Sequence, residues 1–310
     1  GAFGEGGDTY VNGPSMENRG VEILLTYRNS LPSGFNYSIT GNIATFKNKI
    51  TELPDNVRSV YGGNGMLDDI IGRPRNSIYG YVADGIFKTQ EEVDNSPQQA
   101  GVVGQQDNAR TPQQAGKGLG RIRYKDLDGD GRITQDYDRT WIGVSDPDFT
   151  YGLNLQASYK NVDLALFFQG VHGGDVWDSW IEYSDFWNIQ NVNNTNHLKG
   201  VFNAWSPQNP DSNIPALSTR NTNDEKRTST YFLKDGSYLK LRTIELGYTF
   251  PESMVKKAMI SRLRAYVSAN NVFTIKKWWD SNRFSGPDPE IRDFGYVIPF
   301  TATVGVNITF

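Results

Sequence analysis

The residues with the clearest capacity for chemistry lie in DLDGDGRITQDYD, Asp126 to Asp138. Asp126, Asp128 and Asp130 stand at alternate positions and Gly131 follows, which matches positions one, three, five and six of an EF-hand-type loop. Carboxylates so spaced can converge on a hard cation, while Gly131 permits the sharp turn. Arg132 would offer its backbone carbonyl at the seventh position, Ile133 would pack inward, and Thr134 at the ninth would act directly or through water. The twelfth position is Tyr137, flanked by Asp136 and Asp138, so the closing carboxylate is displaced by one residue in either direction. The expected ion is calcium, pinning a surface loop. The competing reading is an Asp/Gly-rich hairpin without an ion.

A second constellation is aromatic. DVWDSWIEYSDFW places Trp177, Trp180, Tyr183 and Trp187 at spacings of three, three and four, compatible with one helical stripe, and Trp205 follows. Exposed rings of this kind can stack on a sugar face or on a ligand's apolar surface. The plainer reading is packing of a loop, and the same holds for KKWW, Lys276–Trp279. Asp175, Asp178, Glu182 and Asp185 then form a solvated face. Catalytic constellations are lacking: the sequence contains neither GxSxG nor HExxH, nor a Gly-rich loop ending in Lys-Ser or Lys-Thr. Glu91–Glu92 lies in a polar tract, where solvation is expected. The chain is read as a non-enzyme.

Composition narrows the classes further. The 310 residues include no Cys and two His, which excludes thiolate sites and makes a histidine cluster nearly impossible. The formal charge of −4, without a basic block, argues against nucleic acid. Aromatic content of 13% is too high for disorder. No run approaches the roughly 18–20 apolar residues of a membrane-crossing helix.

The elements that position these motifs are strands. Phe149, Tyr151, Leu153, Leu155, Ala157 and Tyr159 alternate with Thr150, Gly152, Asn154, Gln156 and Ser158. Phe300 to Phe310 and Phe35 to Ile43 repeat the pattern, and similar runs occur at 21–27, 162–168, 244–250 and 263–273. These runs exceed the usual five or six residues of a sandwich strand and approach the 9–11 of a strand that crosses a bilayer. Aromatics cluster at the ends of the apolar faces, as interfacial belts require. The prediction is an all-β, transmembrane antiparallel β-barrel with one face to lipid and one to water. Short links alternate with long connections, about 47–148, 173–236 and 274–299, as in an up-and-down barrel with long loops on one side. Gln98–Gly120 reads as an extended Gln/Gly-rich loop. Seven strands cannot close a barrel of even strand number, so partner strands are expected upstream in a longer chain.

Several blocks together are distinctive: NRGVEILLTYRN, IYGYVADGIFKTQEEV, RYKDLDGDGRIT with DRTWIG, PDFTYGLNLQASYKNVDLALFFQGVHGGDVW, SYLKLRTIELGYTFP and LRAYVSANNVFTI. In this order they resemble the SusC/RagA-type TonB-linked outer-membrane transporters of Bacteroidetes over nearly the whole chain. The resemblance implies that residues 1–310 form the C-terminal part of a barrel of about 22 strands, without the plug and the TonB-contacting segment. It implies an outer-membrane location, a SusD-like surface lipoprotein as lid, energy from TonB, and glycan or peptide cargo. Relatives usually carry Asp at the twelfth loop position, so this ion loop reads as one residue longer. A terminal Phe310 resembles the signal read by the outer-membrane insertion machinery. Two other functions fit the residues: a docking barrel in a larger outer-membrane assembly, and a secreted calcium-dependent glycan-binding module, which would be soluble and self-contained.

Overall fold

The computed structural model describes residues 13–54, 69–99, 117–179, 181, 199–217, 225, 227–276, 288–291 and 295–310. Its frame is one seven-stranded antiparallel sheet. The strands are β1 (Ser15–Ser30), β2 (Phe35–Glu52), β3 (Phe149–Tyr159), β4 (Val162–His172), β5 (Tyr238–Thr249), β6 (Arg262–Lys276) and β7 (Thr301–Thr309). Each pairs with its neighbour in the chain, so the sheet is a simple meander. All seven alternating runs become strands. β1 and β2 extend beyond the clean alternation because the ladder is made by backbone groups and continues through charged positions. Glu17 there pairs with Lys49 across the ladder, with Lys49 Nζ 3.1 Å away.

Register carries the alternation from strand to strand. One row across the sheet reads Tyr27, Ile39, Leu155, Leu166, Ile244, Ala269 and Ala302. The row on the opposite face reads Thr26, Thr40, Asn154, Phe167, Thr243, Asn270 and Thr301. The apolar face is therefore continuous over all seven strands, and it is bare. Leu25 is 71% exposed, Ile39 41% and Val304 79%, while Leu153 is only half-buried. At about 4.8 Å between strands and about 3.3 Å per residue, the face is roughly 30 Å wide and 30 Å tall. That exceeds the few hundred Å² of apolar patch that a soluble monomer usually exposes.

The packed core lies elsewhere, in the long connections at one end of the sheet. Tyr81, Ile122, Tyr124 and Ile133 form one buried cluster, and Ile50, Leu53 and Ile70 another. Short strand pairs build this end: Ser77–Tyr81 with Arg139–Val144, Ala83–Ile86 with Ile122–Tyr124, and Asp175–Trp177 with Leu233–Asp235. Glu92, expected to be merely solvated, closes a capping box on helix α1 (Gln90–Asn95). Thr89 Oγ1 accepts the Glu92 N–H at 3.2 Å, and Glu92 Oε2 accepts the N–H groups of Lys88 at 2.6 Å and Thr89 at 3.4 Å. Among the described residues no helix is long and apolar enough to cross a membrane. Most of the Gln98–Gly120 stretch lies outside the described residues.

Candidate functional site

The Asp126–Asp138 loop leaves the strand Ile122–Tyr124 and returns through Arg132–Ile133 into Arg139–Val144. Gly129 and Gly131 adopt φ of 78° and 83°, a left-handed conformation that glycine enters without steric cost. Those turns aim backbone N–H groups at carboxylates. Asp126 Oδ1 accepts from Gly129 N at 2.7 Å and Oδ2 from Gly131 N at 2.8 Å. Asp128 Oδ1 accepts from Asp130 N at 3.2 Å, and Asp130 Oδ1 from Arg132 N at 2.7 Å. One oxygen from each of Asp126, Asp128 and Asp130 then lies within 4.8 Å of the others.

Partial loss of water opposes the charge of Asp126, but donation from Gly131 and Gly129 outweighs it and holds the carboxyl below its ordinary value. Asp128 runs the other way. The Asp130 N–H favours its charge, yet desolvation and the nearby carboxylates of Asp130, Asp126 and Asp138 raise it. Like charges held this close favour a cation or a proton among them.

Asp138 does a different job from the three. It is fully buried. Its Oδ1 accepts from Leu127 N at 2.8 Å, and its Oδ2 accepts from Thr134 N at 2.5 Å and Thr134 Oγ1 at 3.1 Å. Asp138 therefore staples the two ends of the loop, and Thr134 is turned to it. Asp136 is exposed, as is Arg132. The donor set fits a hard cation through Asp126, Asp128 and Asp130, with Asp138 shaping the loop behind them.

The aromatic constellation is only partly described: Trp180, Tyr183 and Trp187 lie outside the described residues. Trp177 ends the strand Asp175–Trp177, where backbone pairing with Leu233–Asp235 replaces the helical spacing expected of it. Its ring stacks on Phe232, centroids 4.7 Å apart. Trp205 packs over Gly120, where a Cβ would meet Trp205 Cε3 at 2.6 Å. Both rings are engaged in packing the connections. Lys276 of KKWW is buried, and Trp278 and Trp279 lie outside the described residues.

The polar face holds ion networks that spacing alone did not reveal. Arg264 on β6 reaches Asp163 on β4 (Nε to Oδ1, 3.0 Å) and Glu245 on β5 (Nη2 to Oε1, 2.7 Å). Gly247 makes room for it, since a Cβ there would lie 2.3 Å from the guanidinium. Nearer the long connections, Lys240 is buried and donates to Asp288 at 2.5 Å and to Glu290 at 2.9 Å. Glu290 also accepts from Tyr238 at 2.9 Å and from Arg242. Arg242 is the extra residue of a bulge in β5, which turns it onto the polar face beside Gln169 at 2.8 Å. The signal for these residues was their parity, polar-side positions of alternating strands. Their partners depend on which strands are neighbours.

A meander with one bare apolar face and one charged, hydrogen-bonded face presents two different surfaces to its surroundings. No protein-family model matches the chain. Its sequence is 30% identical to TonB-dependent receptor P3 of Formosa agariphila over 95% of the chain and 29% of that receptor. It is 30% identical to TonB-dependent receptor P26 of the same organism over 96% and 29%. The TonB-dependent receptor SusC of Bacteroides thetaiotaomicron is 24% identical over 96% of the chain and 26% of SusC. The fold resembles the RagAB peptide importer in its open-open state, with a TM-score of 0.64 at 23% identity over 96% of the chain and 29% of the solved one. The RagAB peptide transporter gives 0.61 at 24% identity, over 89% and 27%. The chain is related in sequence to TonB-dependent receptors and shares its fold with RagAB, and it spans about 29% of the length of the first curated relatives it matches.

Proposed function

We propose that this chain supplies barrel wall and external loops to an outer-membrane, TonB-dependent importer of oligosaccharides or peptides. The observation that carries this reading is the continuous bare face from Tyr27 to Ala302, backed by a face of Thr, Asn and ion pairs. Hydrocarbon satisfies the first face, and water in a lumen satisfies the second. β3, with 11 residues, rises about 36 Å and, tilted by about 40°, spans about 28 Å, close to the apolar band of roughly 25 Å in such barrels. The strands that close the sheet, the plug and the TonB contact belong to the rest of the receptor. In this arrangement the packed connections face outward and meet a SusD-like lipoprotein, while the short turns face the periplasm.

The same reading assigns calcium to Asp126, Asp128 and Asp130. Bound there, the ion would supply charge neutralisation and a fixed loop shape, not catalysis. Trp177 and Trp205 serve as packing beneath the outer surface.

The test is uptake by cells carrying the full-length receptor. Labelled oligosaccharide and peptide pools should enter only when TonB and the lipoprotein are both present. Recovery of the receptor in the aqueous phase, with its strands intact, would refute the membrane assignment outright.

A further inference from the structure

The short-turn end of the sheet carries an unusual pairing of strained backbone, exposed apolar side chains and positive charge. Three non-glycine residues have left-handed backbone among the described residues, and two of them, Lys160 (φ 53°) and Met259 (φ 56°), are in these turns. Glycine or asparagine normally takes such positions, because a Cβ is penalised there. Met259 is 87% exposed and Met254 65%, so neither gains burial within the described chain. Both belong to the turn formed by α2 (Glu252–Val255) and the 3₁₀ segment Lys256–Ala258, which Val255 anchors by burial. Lys256, Lys257 and Lys160 are exposed, and Glu252 lies 3.9 Å from Lys256.

Position on the sheet decides which way this group looks. Lys160 Nζ lies 5.2 Å over the ring of Tyr159, a ring on the apolar face in register with Val162 and Tyr248. Phe250 packs edge-on against Tyr248 at 5.2 Å, and Pro251 opens the turn. Lysine charge, methionine and aromatic rings thus share the short-turn end of the sheet, the composition of a segment that lies in a lipid interface.

We infer that the turn 251–261, with Lys160, binds anionic phospholipid headgroups of the leaflet at the short-turn end. The lysines take the phosphates, and Met254 and Met259 enter the acyl boundary. This rests on the membrane reading above and goes beyond it.

The test uses the full-length receptor in detergent, titrated with phosphatidylglycerol or phosphatidylcholine and read by native mass spectrometry. Phosphatidylglycerol should be retained preferentially, with affinity falling about fivefold for each lysine changed to glutamine. The K160Q/K256Q/K257Q variant should lose the preference, and Met259→Gly should weaken both lipids alike. Equal retention of the two lipids, or an unchanged triple variant, would overturn the inference while leaving the membrane assignment standing. Heat-modifiable gel mobility confirms that each variant is folded. Should the triple variant lack it, the single K256Q variant supplies the graded test, and no change in its affinity overturns the inference too. A receptor that partitions into water would overturn both readings at once.

Discussion

Replacing Asp138 by Asn isolates the staple of the acidic loop. The buried carboxylate receives three hydrogen bonds, from Leu127 N, Thr134 N and Thr134 Oγ1. Asparagine keeps one oxygen, which Thr134 with its two donors claims, and turns an NH₂ donor toward the Leu127 N–H. One charge-assisted bond is lost, worth about 1.5–3 kcal/mol, and a buried donor is left unsatisfied at about 1–3 kcal/mol. Relaxation of the loop recovers part of this, so the expected loss is about 3 kcal/mol. At 1.4 kcal/mol per tenfold, amide exchange at Leu127 should accelerate by roughly a hundredfold. Hydrogen–deuterium exchange of the full-length receptor measures it, with Asp136→Asn as control, because Asp136 is exposed and should change exchange by less than about twofold. Equal acceleration in both variants, or none in Asp138→Asn, would refute the assignment of Asp138 as the staple of the loop.

Other outcomes follow from the same geometry. Leu166→Arg, in the middle of the bare face, should destabilise the assembled receptor by about 2–4 kcal/mol, whereas Asn154→Arg on the opposite face should cost little; heat-modifiable gel mobility in urea separates them. Chelation should loosen the Asp126–Asp138 loop to protease, with protection restored by calcium and not by sodium, and Asp128→Asn should remove the calcium effect. The N–H groups of Lys88 and Thr89, assisted by Arg123, hold the Glu92 carboxyl below its ordinary 4.5 despite partial burial. A depressed folded-state value means stability present above 4.5 and lost as pH falls below it. Protection of the Lys88 and Glu92 amides, taken relative to their intrinsic exchange at each pH, should therefore fall on acidification below 4.5 and stay unaltered between pH 6 and 8.

Much of the sheet is legible in the sequence because period-two alternation is a local property. Phe149 to Tyr159 declares its two faces without reference to any other strand. Pairing is not local, and the ion networks depend on it. Arg264 and Asp163 are 101 positions apart and meet only because β4, β5 and β6 are consecutive in the sheet. The bulge that delivers Arg242 to Glu290 has no sequence mark beyond an interrupted alternation at Leu241–Thr243. In the acidic loop, the convergence of Asp126, Asp128 and Asp130 was readable because their spacing is set by the chain itself. Which of Asp136 and Asp138 the fold buries was not, since it turns on where the N–H groups of Leu127 and Thr134 are aimed. Trp177 was misleading for a related reason: spacings of three and four suggest a helix from Trp177 on, but the edge offered by Leu233–Asp235 captures Asp175–Trp177 as a strand, and helical backbone is found beyond it, at Ser179 and Ile181. Glu92 was legible in principle, since Thr89-x-x-Glu92 is a capping box written in the sequence.

The distribution of burial also explains how one chain reconciles a bare sheet with a stable fold. In a soluble sandwich the apolar faces of two sheets cover each other, and removing one would expose the other. Here most apolar side chains of the sheet touch their neighbours along and across the strands and stay half-buried or exposed, while the connections hold Phe87, Ile122, Ile133 and Phe232 fully buried. The connections thus form their own core and need nothing from the apolar face. They attach to the sheet through the buried Ile50 of β2, packed with Leu53 and Ile70, and by polar contacts: Lys240 and Arg242 on β5 to Glu290, and Asn48 on β2 to Asp146 at 2.6 Å. Such a division suits a wall with different solvents on its two sides. On the proposed membrane reading hydrocarbon would stabilise the outward rows, while the inward rows satisfy one another through hydrogen bonds and ion pairs.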